Sequence, residues 1–234
     1  MPEACDPAAV PVCWPSLVFE DFGRLIQSEH RRARIVIFLL FAGMLLSVAD
    51  VFLTFLEVEL FAELVTPLNG LLYLLTSIAF LLWMFRAYSN LTLLGARALE
   101  YSPWWTVGGF LVPILSLFRP YNVMEEIWCA SDPNEEGEQS WKWKKSPSIL
   151  SWWWGLFLAM NALDTFQSFL GREGATGAAG SLNIMSDLLH IPAAVMAILV
   201  IRSVDARQGQ GRDRLLSTPP PVPVVESAEP ETGG

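Results

Sequence analysis

Charge is scarce in this chain: 17% of its 234 residues are Asp, Glu, Lys or Arg, and it has 2 histidines and 3 cysteines. Cys5, Cys13 and Cys129 stand far apart with no C-x-x-C pair, so neither a zinc site nor a disulfide frame follows from their spacing. No G-x-S-x-G elbow, phosphate loop, H-E-x-x-H pair or dinucleotide fingerprint occurs either. No catalytic residue, metal ligand or cofactor is therefore expected. Acids outnumber bases 24 to 15, for a formal net charge of -9, and they gather in short loops and in both tails. That distribution excludes a basic nucleic-acid face.

What the chain has in quantity is apolar surface. Hydrophobic residues make up 53% of it, and the mean hydropathy is positive. Such a composition belongs to a chain that lies largely in lipid. The first long apolar run begins at Ile35, behind a polar N-terminus that lacks a small-residue cleavage pattern, so the first span doubles as the targeting signal. Residues 1–34 form an N-terminal cytoplasmic segment. Its first part is rich in Pro and Ala and is expected to be disordered. From Ser16 onward, Val18, Phe22, Leu25 and Ile26 recur on one helical face, which suits either an amphipathic interfacial helix or, equally, a short helix packed on the protein's own loops.

Residues 35–56 carry a single charge, Asp50, across 22 residues, enough at about 1.5 Å each to cross a hydrocarbon core of about 30 Å. Residues 68–86, 149–170 and 182–201 repeat the pattern. Residues 104–118, WWTVGGFLVPILSLF, hold no charge but contain a Gly-Gly pair and Pro113. As a straight helix these would rise only about 22 Å, short of the core. Lys and Arg concentrate in cytoplasmic loops, and this rule separates the two topologies. If the segment does not cross, 14 of the 15 basic residues lie inside and only Arg172 outside; if it crosses, the bias disappears. The expected fold is therefore an all-α integral membrane protein. Four transmembrane helices form two hairpins, a re-entrant or interfacial segment over 103–118 joins spans two and three, and both termini are cytoplasmic. Irregular backbone at membrane depth must be covered, so the four spans are expected to wrap this segment. Residues 35–202 make the membrane domain, and 203–234 a disordered, Pro-rich acidic tail.

The hairpins look like a repeat. An offset of 114 residues aligns Asp50 with Asp164 and Asn69 with Asn183 without a gap. Both hairpins begin inside, so the repeat axis would run along the membrane normal.

Ionisable residues within a bilayer are costly and mark candidate sites. Here they are Asp50, Asp164, Asp187 and His190, with Asn69 and Asn183 at similar depth near the outer leaflet. Asn183, Asp187 and His190 share one helical face. They either hold a proton or cation or only tie helices together, and the second reading is favoured. On the inner side Arg86, Asn90 and Arg97 fall on one face of a helix continuing from the second span. Glu100, Glu125 and Glu126 are candidate partners of Arg86, and the competing reading, an ordinary snorkelling arginine, is favoured over an ion pair with Glu125 or Glu126. Trp104, Trp105, Trp128, Trp141, Trp143 and Trp152 to Trp154 mark an interfacial aromatic belt.

The central stretch, 86–131, resembles a bacterial membrane-protein family filed as domain of unknown function 4328. The resemblance rests on Arg86, Asn90, Leu94-Gly95, Tyr101-Ser102-Pro103, Trp104, Val107-Gly108, Pro113, Leu117, Pro120, Glu126, Trp128 and Ser131. It implies a multi-pass protein of the bacterial inner membrane with no assigned catalytic residues. One departure is Ser116 in PILSL, where the family pattern has Asn. The expected function is non-enzymatic: a structural, interaction or regulatory protein whose partners are the lipid bilayer and a second copy, a membrane protein or a cytoplasmic protein. The alternative is a small proton- or cation-linked transporter or channel that uses the outer Asp/His cluster. A membrane-embedded enzyme acting on lipid ranks third.

Overall fold

Long apolar runs free of interior breaks become long helices, because only a helix satisfies every backbone donor and acceptor within its own segment. The computed structural model describes residues 16–56, 59–132, 142, 144–174 and 176–217, and among the described residues there is no strand. These residues form, in order, the helices α1 Ser16–Phe55, α2 Glu59–Leu93, α3 Trp105–Leu111, α4 Arg119–Ala130, α5 Ser148–Arg172 and α6 Thr176–Ser217, with a 3-10 turn Leu115–Leu117 between α3 and α4. Among the described residues three stretches are long and apolar enough to cross a membrane: His30–Phe55, Pro67–Leu93 and Gly180–Ser217. The 25 residues of α5 would span about 37 Å. Trp152 to Trp154, Asn161, Asp164 and Gln167 dilute its apolar character.

Several boundaries differ from the sequence expectation. The amphipathic stretch and the first span are one helix of 40 residues. Residues 203–217, expected in the polar tail, continue α6, which reaches 42 residues. At about 1.5 Å per residue these helices measure about 60 Å, twice the hydrocarbon core. Their surplus turns pair with each other: His30 Nδ1 meets Asp205 Oδ2 at 2.8 Å. The expected disorder of residues 1–15 and of 218–234 lies outside the described residues, as do the side chains of the amphipathic face and Trp141 and Trp143.

α1 packs on both α2 and α6, and α6 packs on α5, giving the row α2–α1–α6–α5. A two-fold repeat relating α1 to α5 and α2 to α6 would copy the α1–α6 contact as an equal one between α5 and α2. α2 and α5 instead leave a seam. They meet through single side chains, Tyr73 Oη to Asn161 Oδ1 at 3.4 Å and the Phe80 and Trp153 rings at 6.0 Å.

Buried apolar residues gather towards one end of the row, where Trp83, Met84, Tyr88 and Leu91 of α2 meet Val123, Met124 and Ile127 of α4, Leu150 of α5 and Ile201 and Val204 of α6. Elsewhere the large side chains point outward: Phe38 is 69% exposed and Phe52 62%. Helices in lipid gain nothing by hiding such groups from hydrocarbon, so this inversion suits a bilayer. The tryptophans divide accordingly. Trp104 and Trp152 are exposed as a belt requires, whereas Trp128, Trp153 and Trp154 are core residues.

Residues 103–118 fold as α3, a break at Val112 and Pro113, and the 3-10 turn. The expected enclosure by the spans is not seen. The segment lies against α2 and α4 with Trp104, Leu111 and Ile114 about three-quarters exposed, at 74%, 77% and 76%. Its apolar edge faces outward because the buried side is taken up by small groups. Gly109 approaches α4 so closely that a Cβ there would stand 3.1 Å from Arg119 Cβ.

Candidate functional site

The residues of the 86–131 motif converge into a cap at one end of the bundle. α2 stops at Leu93 in a left-handed turn. Gly95 has φ +93°, and Ala96 N–H donates to Leu91 O at 3.0 Å, closing the helix end. The expected continuation of the helix through Arg97 is therefore corrected: Arg97 lies beyond the turn and shares no face with Asn90. The chain reverses there, with Ala98 also left-handed at φ +57°, and carries Glu100 and Tyr101 back over α2.

Glu126 of α4 stands at the centre of the cap, 4% exposed. Its Oε1 accepts the Glu100 N–H at 2.6 Å, and its Oε2 lies 2.8 Å from Tyr88 Oη. Tyr88 Oη also accepts the Tyr101 N–H at 3.0 Å and lies 2.6 Å from Tyr101 O. One hydroxyl proton cannot serve both Tyr101 O and Glu126. A proton on Glu126 resolves the count: the carboxyl donates to Tyr88, and Tyr88 donates to Tyr101. Burial pushes the Glu126 carboxyl above the usual carboxylate range, and the bonds from Glu100 and Tyr88 oppose this only in part. The candidate ion pair of Arg86 with Glu125 or Glu126 does not form. Arg86 points outward, Glu125 takes no part in the network, and Glu126 is held by a tyrosine and a backbone amide.

A second knot joins the cap to α6. Gln208 Nε2 donates to Ala87 O at 2.9 Å and to Ser131 Oγ at 3.0 Å, while its Oε1 receives Asn90 Nδ2 at 3.4 Å. Asn90, Ser131 and Gln208 are all buried. Beside them Arg207 stacks over Trp128, 4.3 Å from the ring centroid, and donates to Trp128 O at 3.2 Å. Arg119 lies between Tyr101 and Trp105, 4.9 and 5.0 Å from their centroids.

The remaining motif residues shape the short segment. Pro103 O accepts Thr106 Oγ1 at 2.6 Å, and Trp104 meets Phe85 edge-on at 5.3 Å. Pro120 stands in the first turn of α4, where a missing N–H costs nothing. Ser116, the departure from the family pattern, donates to Pro113 O at 2.7 Å. A hydroxyl thus closes the turn locally. Trp154 Nε1 donates to Leu117 O at 2.9 Å and ties the segment to α5.

At the opposite end, part of the expected polar cluster forms. Asn183 bridges α1 and α6, donating to Asp50 Oδ2 at 3.4 Å and Asp187 Oδ2 at 3.3 Å, and accepts from Gln167 at 3.0 Å. Asp164 accepts from Ser186, and His190 Nδ1 meets Ser47 Oγ at 3.3 Å. Asn69 stays apart on α2 and lines a cavity instead. Among the described residues no three His, Cys, Asp or Glu side chains are placed to hold a metal ion.

That cavity, about 270 Å³, is lined by residues of α1, α2, α5 and α6 and by Phe110 of α3. Sequence reasoning missed it, together with Tyr88 and Gln208. Gln208 sits in a polar stretch with no apolar period, and Tyr88 meets a carboxylate 38 positions away. Neither leaves a local signal.

No curated protein and no solved structure matches the chain. Residues 35–206 match the family described as Domain of unknown function (DUF4328), and this protein belongs to that family.

Proposed function

We propose that this is a four-span protein of the bacterial inner membrane with both termini in the cytoplasm, and that its cap serves an interaction or regulatory role without catalysis. The observation that carries the reading is the Gln208 knot. One side chain near the end of α6 holds both the α2 backbone and the end of α4. A partner bound at the cap would therefore act on two spans at once. For the fourth span, α5 runs beside α6 and presents Trp152, Phe166 and Phe169 outward. For the orientation, Arg119, Lys144 and Arg207 lie at the cap end while Arg172 ends α5. A periplasm-active reporter fused near Asn134 should be silent and one near Ala175 active; the reverse pattern would refute the topology. Capture of a cytoplasmic protein that depends on residues 86–131 supports the cap's role, and capture unaffected by replacing them counts against it.

A transporter is the second reading, favoured by one observation: His190 both bonds to Ser47 in the polar cluster and lines the cavity. Proton flux into liposomes that is lost in Asp164→Asn and Asp187→Asn supports it. Flux that survives both substitutions removes the cluster from the mechanism.

A further inference from the structure

The seam between α2 and α5 is a break in what would otherwise be a symmetric bundle, and the cavity lies behind it. Its floor is built from small residues, Gly43 of α1 and Ala193, Ala194 and Ala197 of α6. Its walls are α2 and α5, which do not pack along their lengths, and Phe110 lies at its cap end. With α1 and α6 beneath and α2 and α5 to either side, the open side is the seam. In a four-span protein a seam between neighbouring spans faces the bilayer.

We infer that this cavity is a binding site for one acyl chain of a membrane phospholipid, entering sideways between α2 and α5. The inference rests on the four-span reading. The chemistry of the wall selects the occupant. The wall is mostly apolar, and its polar side chains are Asn69, Tyr73, Thr76, Ser77 and His190. Of these, Thr76 Oγ1 donates to its own helix at Leu72 O, 2.7 Å away, Tyr73 is bound to Asn161, and His190 to Ser47. A water needs two to four polar partners, and an apolar cavity of even about 150 Å³ stays dry and takes up hydrocarbon. This one is larger, and hydrocarbon is the solvent at its mouth.

The dimensions agree. Along α2 the lining runs from Asn69 to Leu81. Twelve residues rise about 18 Å. One leaflet of a core of about 30 Å is about 15 Å deep. The single amide, Asn69, stands at the end away from the cap, where a headgroup would lie, and the aromatic end at Phe110 and Trp154 would meet the chain terminus.

The test uses the full chain in vesicles of phosphatidylethanolamine and phosphatidylglycerol doped with a phospholipid that carries a diazirine near the end of one acyl chain. After irradiation, adducts are mapped by peptide mass spectrometry. Label is expected on Trp154 and Phe157 at the aromatic end of the cavity as well as on the outward residues Phe38, Leu74 and Phe166. Filling the floor with Ala194→Phe, and separately with Ala197→Phe, should abolish the inner label and leave the outer label unchanged, which also shows that the variants are folded. Outer label without inner label, or inner label that persists in both filled variants, would overturn the inference. Absence of label on Phe166 alone would instead overturn the fourth span, and the acyl-chain site with it.

Discussion

The Tyr88 hydroxyl lies 2.8 Å from a Glu126 oxygen across 38 positions of sequence, and the pair fixes how the chain returns over the end of α2. The carboxyl of that pair is almost fully buried, and among the described residues no cation is paired with it.

The first expectation is a pH dependence. The Glu126 pKa in the folded chain lies above its ordinary value, so the folded state binds more protons than the unfolded one. The stabilisation is complete below the ordinary carboxylate range and is lost as pH rises through the raised folded value. Denaturant midpoints measured from acid towards neutral pH should therefore fall, and Glu126→Gln, which stays neutral, should flatten the slope. A wild-type midpoint that rises over that range would contradict the neutral carboxyl.

Gln208→Leu removes the partner of three buried groups, Asn90, Ser131 and Ala87 O. Leaving a buried polar group unpaired costs about 1–3 kcal/mol. The variant should unfold earlier in denaturant by about that amount. Its α4 amides should also exchange faster while the amides of α5 keep their protection. Uniform loss over both helices would show that the knot is not local to the cap.

The two left-handed positions after α2 should respond in opposite directions. Ala98, at φ +57°, carries a strain of roughly 1–2 kcal/mol that Gly would relieve, so Ala98→Gly stabilises in proportion. Gly95, at φ +93°, has open space around a notional Cβ, so Gly95→Ala should destabilise through backbone strain alone, by about 1 kcal/mol. Thermal unfolding of the detergent-solubilised protein separates the two.

Trp154→Phe keeps a ring for Phe110 and Phe157 but loses the donor to Leu117 O. A typical hydrogen bond is worth about 1 kcal/mol. The segment over 112–118 should then become more open to protease, with little change in the melting of the bundle. Unchanged cleavage would mean that packing alone holds it.

The helices were legible because their cause is local. Apolar runs over 35–56, 68–86 and 182–201 dictate long helices, and Pro113 beside a Gly-Gly pair dictates the break between α3 and the 3-10 turn. The 86–131 motif was legible as a unit, but the pairing inside it was not. Arg86 and Glu126 are opposite charges at plausible spacing, yet Arg86 lies outward, where solvation is cheap, and a buried carboxyl can instead be neutral. The α6 extension escaped notice because residues 203–217 are polar, and a polar helix shows no apolar period. It is ordered by contacts such as His30 with Asp205 and Gln208 with Ser131.

By itself the sequence determined the helical class, the family, and the placement of Asp50, Asp164, Asp187 and His190 towards one end of the helices, since each follows from the local distribution of apolar and polar residues. Only the tertiary structure decided which groups meet: that Glu126 takes Tyr88 rather than Arg86, that Asn69 leaves the polar cluster to line a cavity, and that α2 and α5 stand apart where a repeat would join them. The reason is physical. Burial and hydrogen bonding between distant segments depend on helix rotation and on side-chain size at contacts such as Gly43, Ala194 and Gly109, and no local pattern encodes these.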